Sequence, residues 1–286
     1  MLPPLITSRG LFTHHHTATK RINAINTSYA FRFADLITAH RSDTFLSGDM
    51  FTNLMLHQEN NLSVAWAPFD YIATNARLIV VGITPGRQQA ENALRAFRQA
   101  LGAGLSPDAA LRRAKMTGSF SGPMRGSLVD MLDHIGAQRA FGVTTCAQLF
   151  EPEDELAHFT SALRHPVFVN GENYNGAPNM RRHPFLCGMI ETHLAEEARA
   201  LPNALWLPLG PKPTEALKHL VDRGGLDRSR ILEGLPHPSG ANGERIAYFL
   251  GRKDKATLSA KTPPGAIDQA RARLREQIAD LTREAA

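Results

Sequence analysis

Two short stretches carry residue types that chemistry can use. Gly82-Ile83-Thr84-Pro85-Gly86 comes straight after an apolar β-branched run, and His237-Pro238-Ser239-Gly240-Ala241-Asn242 comes straight after the apolar-rich 231–236 segment. A turn needs Pro or Gly and has no need of His. A histidine at such a place supplies a group that donates or accepts a proton near neutral pH. The serine and the small residues beside it let hydroxyl and backbone N–H groups approach an anion. Thr84 carries a hydroxyl that can orient water but is a poor base. Taken singly, each stretch is an ordinary turn. Together they flank a repeated strand–helix pattern.

That pattern sets where the two stretches fall. Residues 77–82, 141–150, 204–210 and 231–237 read as four short buried strands, with helices between them. Ala90, Leu94, Phe97 and Leu101 recur at helical spacing before Gly102 and Gly104. Further helices are predicted over 126–135, 184–201, 213–225 and 244–251, and Ile267, Ala270, Leu274, Ile278 and Leu281 mark a last amphipathic one. Alternation of this kind predicts an α/β fold of three layers, αβα, around a central four-stranded parallel sheet. Residues 1–60 contain helical-looking pieces and no obvious strand, so they read as an N-terminal helical extension to a single domain at 61–286. In such folds ligands sit beyond the carboxyl ends of the strands, where both stretches would lie.

The 286 residues suffice for one large domain. No apolar run approaches the roughly 18 residues that span a bilayer, and the N-terminus lacks the order of a secretory signal. A cytoplasmic protein without a membrane partner is expected, most simply a monomer. Two cysteines, Cys146 and Cys187, are too few for a disulfide framework or a four-cysteine metal site and read as free, buried thiols. His14-His15-His16 are adjacent and point apart, which argues against a metal site. A net charge of +5 and a pI near 9.5 suit a polyanionic partner.

Gly82–Gly86 and His237–Gly240, placed after the first and last strands, resemble the two motifs of the uracil-DNA glycosylase superfamily. The stretches 120–136 and 205–217 are similar to the family's intervening segments, so the resemblance covers about residues 65–251. It implies a monofunctional DNA glycosylase, which flips a damaged or modified base out of DNA and hydrolyses its glycosidic bond without metal or organic cofactor. On this resemblance His237 donates to the departing base, Thr84 or Asp70 positions water, and Gly82, Ile83, Pro85 and Gly86 shape the pocket floor and present backbone amides. Phe120 stacks on the base. Pro238, Ser239, Gly240, Ala241, Asn242 and Arg125 contact DNA.

Two departures bear on the substrate. Thr84 stands where many family members carry Asp or Asn, which predicts a slower enzyme. Thr144, Thr145 or Cys146 stands at the end of the second expected strand where the family reads uracil with Asn, and none has the paired donor and acceptor of an amide. The polar loop 170–179, with Asn170, Asn173 and Tyr174, could read a larger base. Three other readings stay open: a defence enzyme excising a bulky modified cytosine from phage DNA, a catalytically silent DNA-binding protein, and an unrelated α/β enzyme holding a small phosphorylated ligand. The loop after the first strand lacks the Lys-Ser/Thr ending of a P-loop, which counts against the last.

Overall fold

A computed structural model describes residues 23–119, 123–151 and 155–284. His14–His16 and Phe120 lie outside the described residues. The described residues begin with helices α1 (Asn23–Ala39) and α2 (Gly48–Asn53) and the hairpin β1 (Met55–Glu59) and β2 (Leu62–Ala65). The first parallel strand, β3 (Leu78–Gly82), leads into α3 (Arg87–Gly102), α4 (Pro107–Gly118), α5 (Pro123–His134) and α6 (Ala137–Phe141). Then come β4 (Ala157–Ser161), β5 (Val167–Val169), β6 (Glu172–Asn173), α7 (Pro184–Met189) and α8 (Ala195–Ala200), the two helices joined by a π turn at Ile190–Leu194. The chain closes with β7 (Leu205–Pro208), α9 (Pro211–Asp222), α10 (Gly243–Phe249) and α11 (Pro264–Glu284).

The fold is a mixed α/β one. Its parallel sheet has the order β4-β3-β7. A single parallel bridge from Trp206 to Ile231 stands where a fourth strand is expected at 231–237. Beyond that bridge Gly234 adopts φ +120°, which breaks an extended run. β3 is buried along its whole length. Its side chains alternate: Leu78 and Val80 join one core with α5, α6, α10 and α11, while Ile79 and Val81 join another with α7, α8 and α9.

The expected second strand at 141–150 is not a strand. Gly142, left-handed at φ 68°, ends α6, and residues 146–150 form a 3₁₀ turn. Thr145 Oγ1 caps that turn by accepting from Ala147 N–H, and Asp133 accepts from Thr145 Oγ1 at 2.6 Å and from Cys146 N–H at 2.7 Å. Local hydrogen bonds override the β propensity of Val-Thr-Thr. The true second strand is β4, in register with β3 from Leu78↔Ala157 to Gly82↔Ser161.

A second, antiparallel sheet has the order β1-β2-β5-β6. The turn Asn60-Asn61 of its first hairpin falls where the sequence reading ends the N-terminal extension, so the β1–β2 pairing spans that boundary. α1 packs on α3 and α4. Its Phe33 ring lies 5.0 Å from that of the fully buried Trp66.

Candidate active site at the carboxyl edge of the parallel sheet

The loop after β3 continues the sheet's pairing: Ala162 N–H donates to Gly82 O at 2.8 Å and Leu163 N–H to Ile83 O at 3.0 Å. Thr84 then crosses to the other sheet. Its Oγ1 donates to His165 O at 2.9 Å and accepts from Val167 N–H at 3.2 Å, at the start of β5. The hydroxyl expected to hold a water is therefore a tie between two sheets.

The helix that follows is capped by protein. Gln89 Oε1 accepts from Gly86 N–H at 3.0 Å, and Asn173 Oδ1 accepts from Arg87 N–H at 2.9 Å. The Gly86 amide expected to face a ligand is satisfied within the chain. Asn173 is brought to the GITPG loop, 3.6 Å from where a Cβ on Gly86 would stand, but as a helix cap. Its position comes from the β5–β6 hairpin, whose turn residues Asn170 and Gly171 both have positive φ between the paired Val169 and Glu172. Asn170 is exposed at that turn. Tyr174 is buried and its hydroxyl donates to Pro178 O at 2.5 Å. Ile83 packs on the core beneath.

A cleft opens at the carboxyl ends of β3 and β4. Pro85 and the β4 residues Phe159, Thr160 and Ser161 line one side. Phe69, the helical residues Gln89 and Lys115, and Ser119 just past the end of α4 line the other, together with Arg164. Ser161, at the end of the true second strand, takes the position assigned to Thr145, which lies elsewhere. Arg125 reaches the rim: its guanidinium donates to Ser119 O at 3.3 Å and covers the Phe150 ring, which stacks on Phe159 at 4.6 Å.

Behind the cleft lies a buried charge network with no obvious signal in the sequence, because its members are scattered in the chain. Arg164 meets Glu197 at 2.9 Å and Glu196 at 3.1 Å and donates to the carbonyl of His193 in the π turn. Lys115 Nζ donates to Tyr71 O at 2.6 Å and lies 3.4 Å from His158 Nε2. His158 faces Glu197 at 3.5 Å. Burial lowers Lys115 to about 8 and His158 to about 4. Asp70 belongs here: it is 2% exposed, accepts from Trp66 Nε1 at 2.9 Å and lies 3.6 Å from His165. Burial raises its carboxyl. The Asp70 side chain, expected as a water holder, is sealed behind the cleft.

The second motif follows Ile231, which bridges to Trp206 of β7. β3 and the bridge position are two interstrand gaps apart, about 10 Å. Ser239 N–H donates to His237 Nδ1 at 3.2 Å. Burial lowers the His237 pKa, which favours the neutral ring. A neutral imidazole whose Nδ1 accepts carries its proton on Nε2, so Nε2–H is a donor. Pro238 is buried. Asn242 Nδ2 donates to Ser239 Oγ at 3.1 Å, leaving Gly240 and Ala241 exposed at the tip.

The residues thus define a mixed α/β protein with a histidine whose Nδ1 accepts from Ser239 N–H and, at the carboxyl ends of β3 and β4, a small cleft reached by Lys115 and Arg164. An uncharacterized protein of Bacillus subtilis (strain 168), YoxB, is 32% identical over 247 residues, spanning 85% of this chain and 96% of YoxB. The chain belongs to the same family as YoxB. No protein-family model matches it, and no solved structure matches it. Among the described residues, no helix is long and apolar enough to cross a membrane.

Proposed function

We propose that the protein is a monofunctional DNA glycosylase of the uracil-DNA glycosylase superfamily, and that the bridge at Ile231 is the remnant of a fourth parallel strand in a three-layer αβα domain. The observation that carries the reading is the His237 ring, neutral, held by Ser239 N–H through Nδ1, and so a donor through Nε2. Cleaving the C1′–N bond sends its electron pair to the base. A donor placed at the base carbonyl stabilises that charge without itself losing its proton. Water adds to C1′; one of its protons ends on the released base and its hydroxyl on the abasic sugar. Ser239 and the exposed Gly240 and Ala241 would meet the DNA backbone and the gap left by the flipped nucleotide. With Thr84 committed to two protein partners, water is held weakly, which suits a dissociative cleavage and a slow enzyme.

The engagement of Thr84 equally favours one other reading, a DNA-binding protein of this fold that releases no base. The two separate in a base-release assay on DNA carrying uracil, deaminated purines, or hydroxymethylated and glucosylated cytosine. Alkali-labile sites on one of these support the glycosylase and name its base, the last pair pointing to defence against phage DNA. DNA binding with no labile site on any of them supports the silent reading.

A further inference from the structure

On the α7–α9 side of the molecule three side chains of metal-binding type converge. Cys187 on α7 and Glu191 in the π turn are four residues apart, and His219 comes from α9. Cys187 Sγ lies 3.6 Å from His219 Nε2 and 3.6 Å from Glu191 Oε1, and His219 Nε2 lies 2.9 Å from the same Oε1. A zinc ion with bonds of about 2.3 Å to sulfur and about 2.0 Å to nitrogen and oxygen spans tetrahedral edges of about 3.5 Å from sulfur and about 3.3 Å between the lighter donors. Both sulfur edges already match, and the third needs to open by a few tenths of an ångström. His219 is mostly buried and Glu191 about one-third exposed, so the fourth vertex can face water. Arg223 Nε lies 3.3 Å from Glu191 Oε1, but its side chain is 60% exposed and free to swing out.

We propose that Cys187, Glu191 and His219 form a binding site for a thiophilic divalent cation, zinc above all, with water as the fourth ligand, clamping α7 and its π turn to α9. Binding breaks the Cys187 S–H bond; the sulfur pair goes to the metal and one proton goes to solvent. His219 moves its proton from Nε2 to Nδ1 and gives the Nε2 pair to the metal. Glu191 exchanges the His219 hydrogen bond for a metal bond.

The test is titration of the full-length protein with cobalt(II), then displacement by zinc. One equivalent of cobalt is expected to release one proton and to give a near-ultraviolet sulfur-to-cobalt band and strong tetrahedral visible bands, which zinc then removes. The sulfur band separates this site from the His14–His16 tract. Cys187→Ser should lose the band, and Glu191→Gln and His219→Ala should each weaken cobalt binding at least about tenfold. Glu191→Gln alters a partly exposed side chain, so it decides the matter if His219→Ala does not fold. Absence of the band at one equivalent, or an unchanged band in Cys187→Ser or unchanged affinity in Glu191→Gln, overturns the proposal.

Discussion

Two hydroxyl- and imidazole-bearing residues that the sequence places in one mechanism take different parts in the structure. Thr84 spends its donor on His165 O and its acceptor on Val167 N–H. Thr84→Val should therefore leave the turnover of folded protein within a few-fold and cost stability, about 1–3 kcal/mol, because a partly buried N–H loses its partner. Denaturant titration beside a single-turnover rate checks this. A collapsed rate with intact stability would put Thr84 back into the chemistry. His237 is singled out by its place in the motif that carries the family resemblance, and its proton on Nε2 follows from one hydrogen bond that sequence cannot show. Asp70 was not legible as a buried group: Trp66 is four residues away, but His165 and the charges of Arg164 and Lys115 that surround it come from distant parts of the chain, and burial is a tertiary property.

At the scale of elements, the segment carrying His237 depends on the C-terminal helix α11, which lies outside the family resemblance. Gly234, with φ +120°, sits so close to α11 that an added Cβ would stand 2.6 Å from Ala270 Cβ. Gly234→Ala should destabilise the protein and shift the 235–242 loop, lowering any His237-dependent rate more than Thr84→Val does. Gly118 tests the other wall of the cleft. A Cβ there would meet Ala93 Cβ and Gln89 O at 2.9 Å, where α4 crosses α3 beside Gln89 and Ser119. Gly118→Ala should cost about 1–3 kcal/mol by overpacking, read as a lowered denaturation midpoint. The strands show what pattern reading can reach. β3 is apolar on both faces and reads at sight. β4 escaped because His158 and Thr160 alternate with Ala157, Phe159 and Ser161, the polar pair being buried against the charge network rather than exposed. The β5–β6 hairpin left a signal in Asn170-Gly171, the pair favoured where two successive residues need positive φ. Its strands are too short, three and two residues, to show alternation.

Across the whole molecule the buried network makes stability depend on pH in a defined direction. Burial lowers His158 to about 4 and His165 and His193 to about 3. In the unfolded chain such groups take protons near 6.5. Between those values the unfolded state binds more protons, so stability falls as pH drops from about 6.5 towards 4. Glu197 acts in the same sense: burial pushes its carboxyl up, but Arg164, Lys115 and His158 outweigh that and hold it below the usual range. Its contribution is present above about 4.5 and is lost as pH falls through the folded value. Lys115 acts at the alkaline end. Lowered from 10.5 to about 8, it releases its proton first in the folded state, so its burial costs less as pH rises through that window. The thermal midpoint should drop from pH 6.5 to 4, because His158, His165 and His193 take up protons on unfolding and outweigh Asp70, whose carboxyl, raised by burial, releases one. A midpoint flat between pH 7 and 5 would mean that these rings are not held neutral.

The measurement closest to the central claim compares wild type with His237→Ala and His237→Gln on the DNA substrate that the base-release assay identifies, following single-turnover base release and DNA affinity together. The donor role predicts that His237→Ala loses at least about 100-fold in rate, that Gln, which keeps an N–H, recovers part of it, and that affinity for DNA changes little. Base release by His237→Ala at the wild-type rate would contradict the assignment of His237 as the donor and, with it, the reading of this edge of the sheet as a glycosylase site.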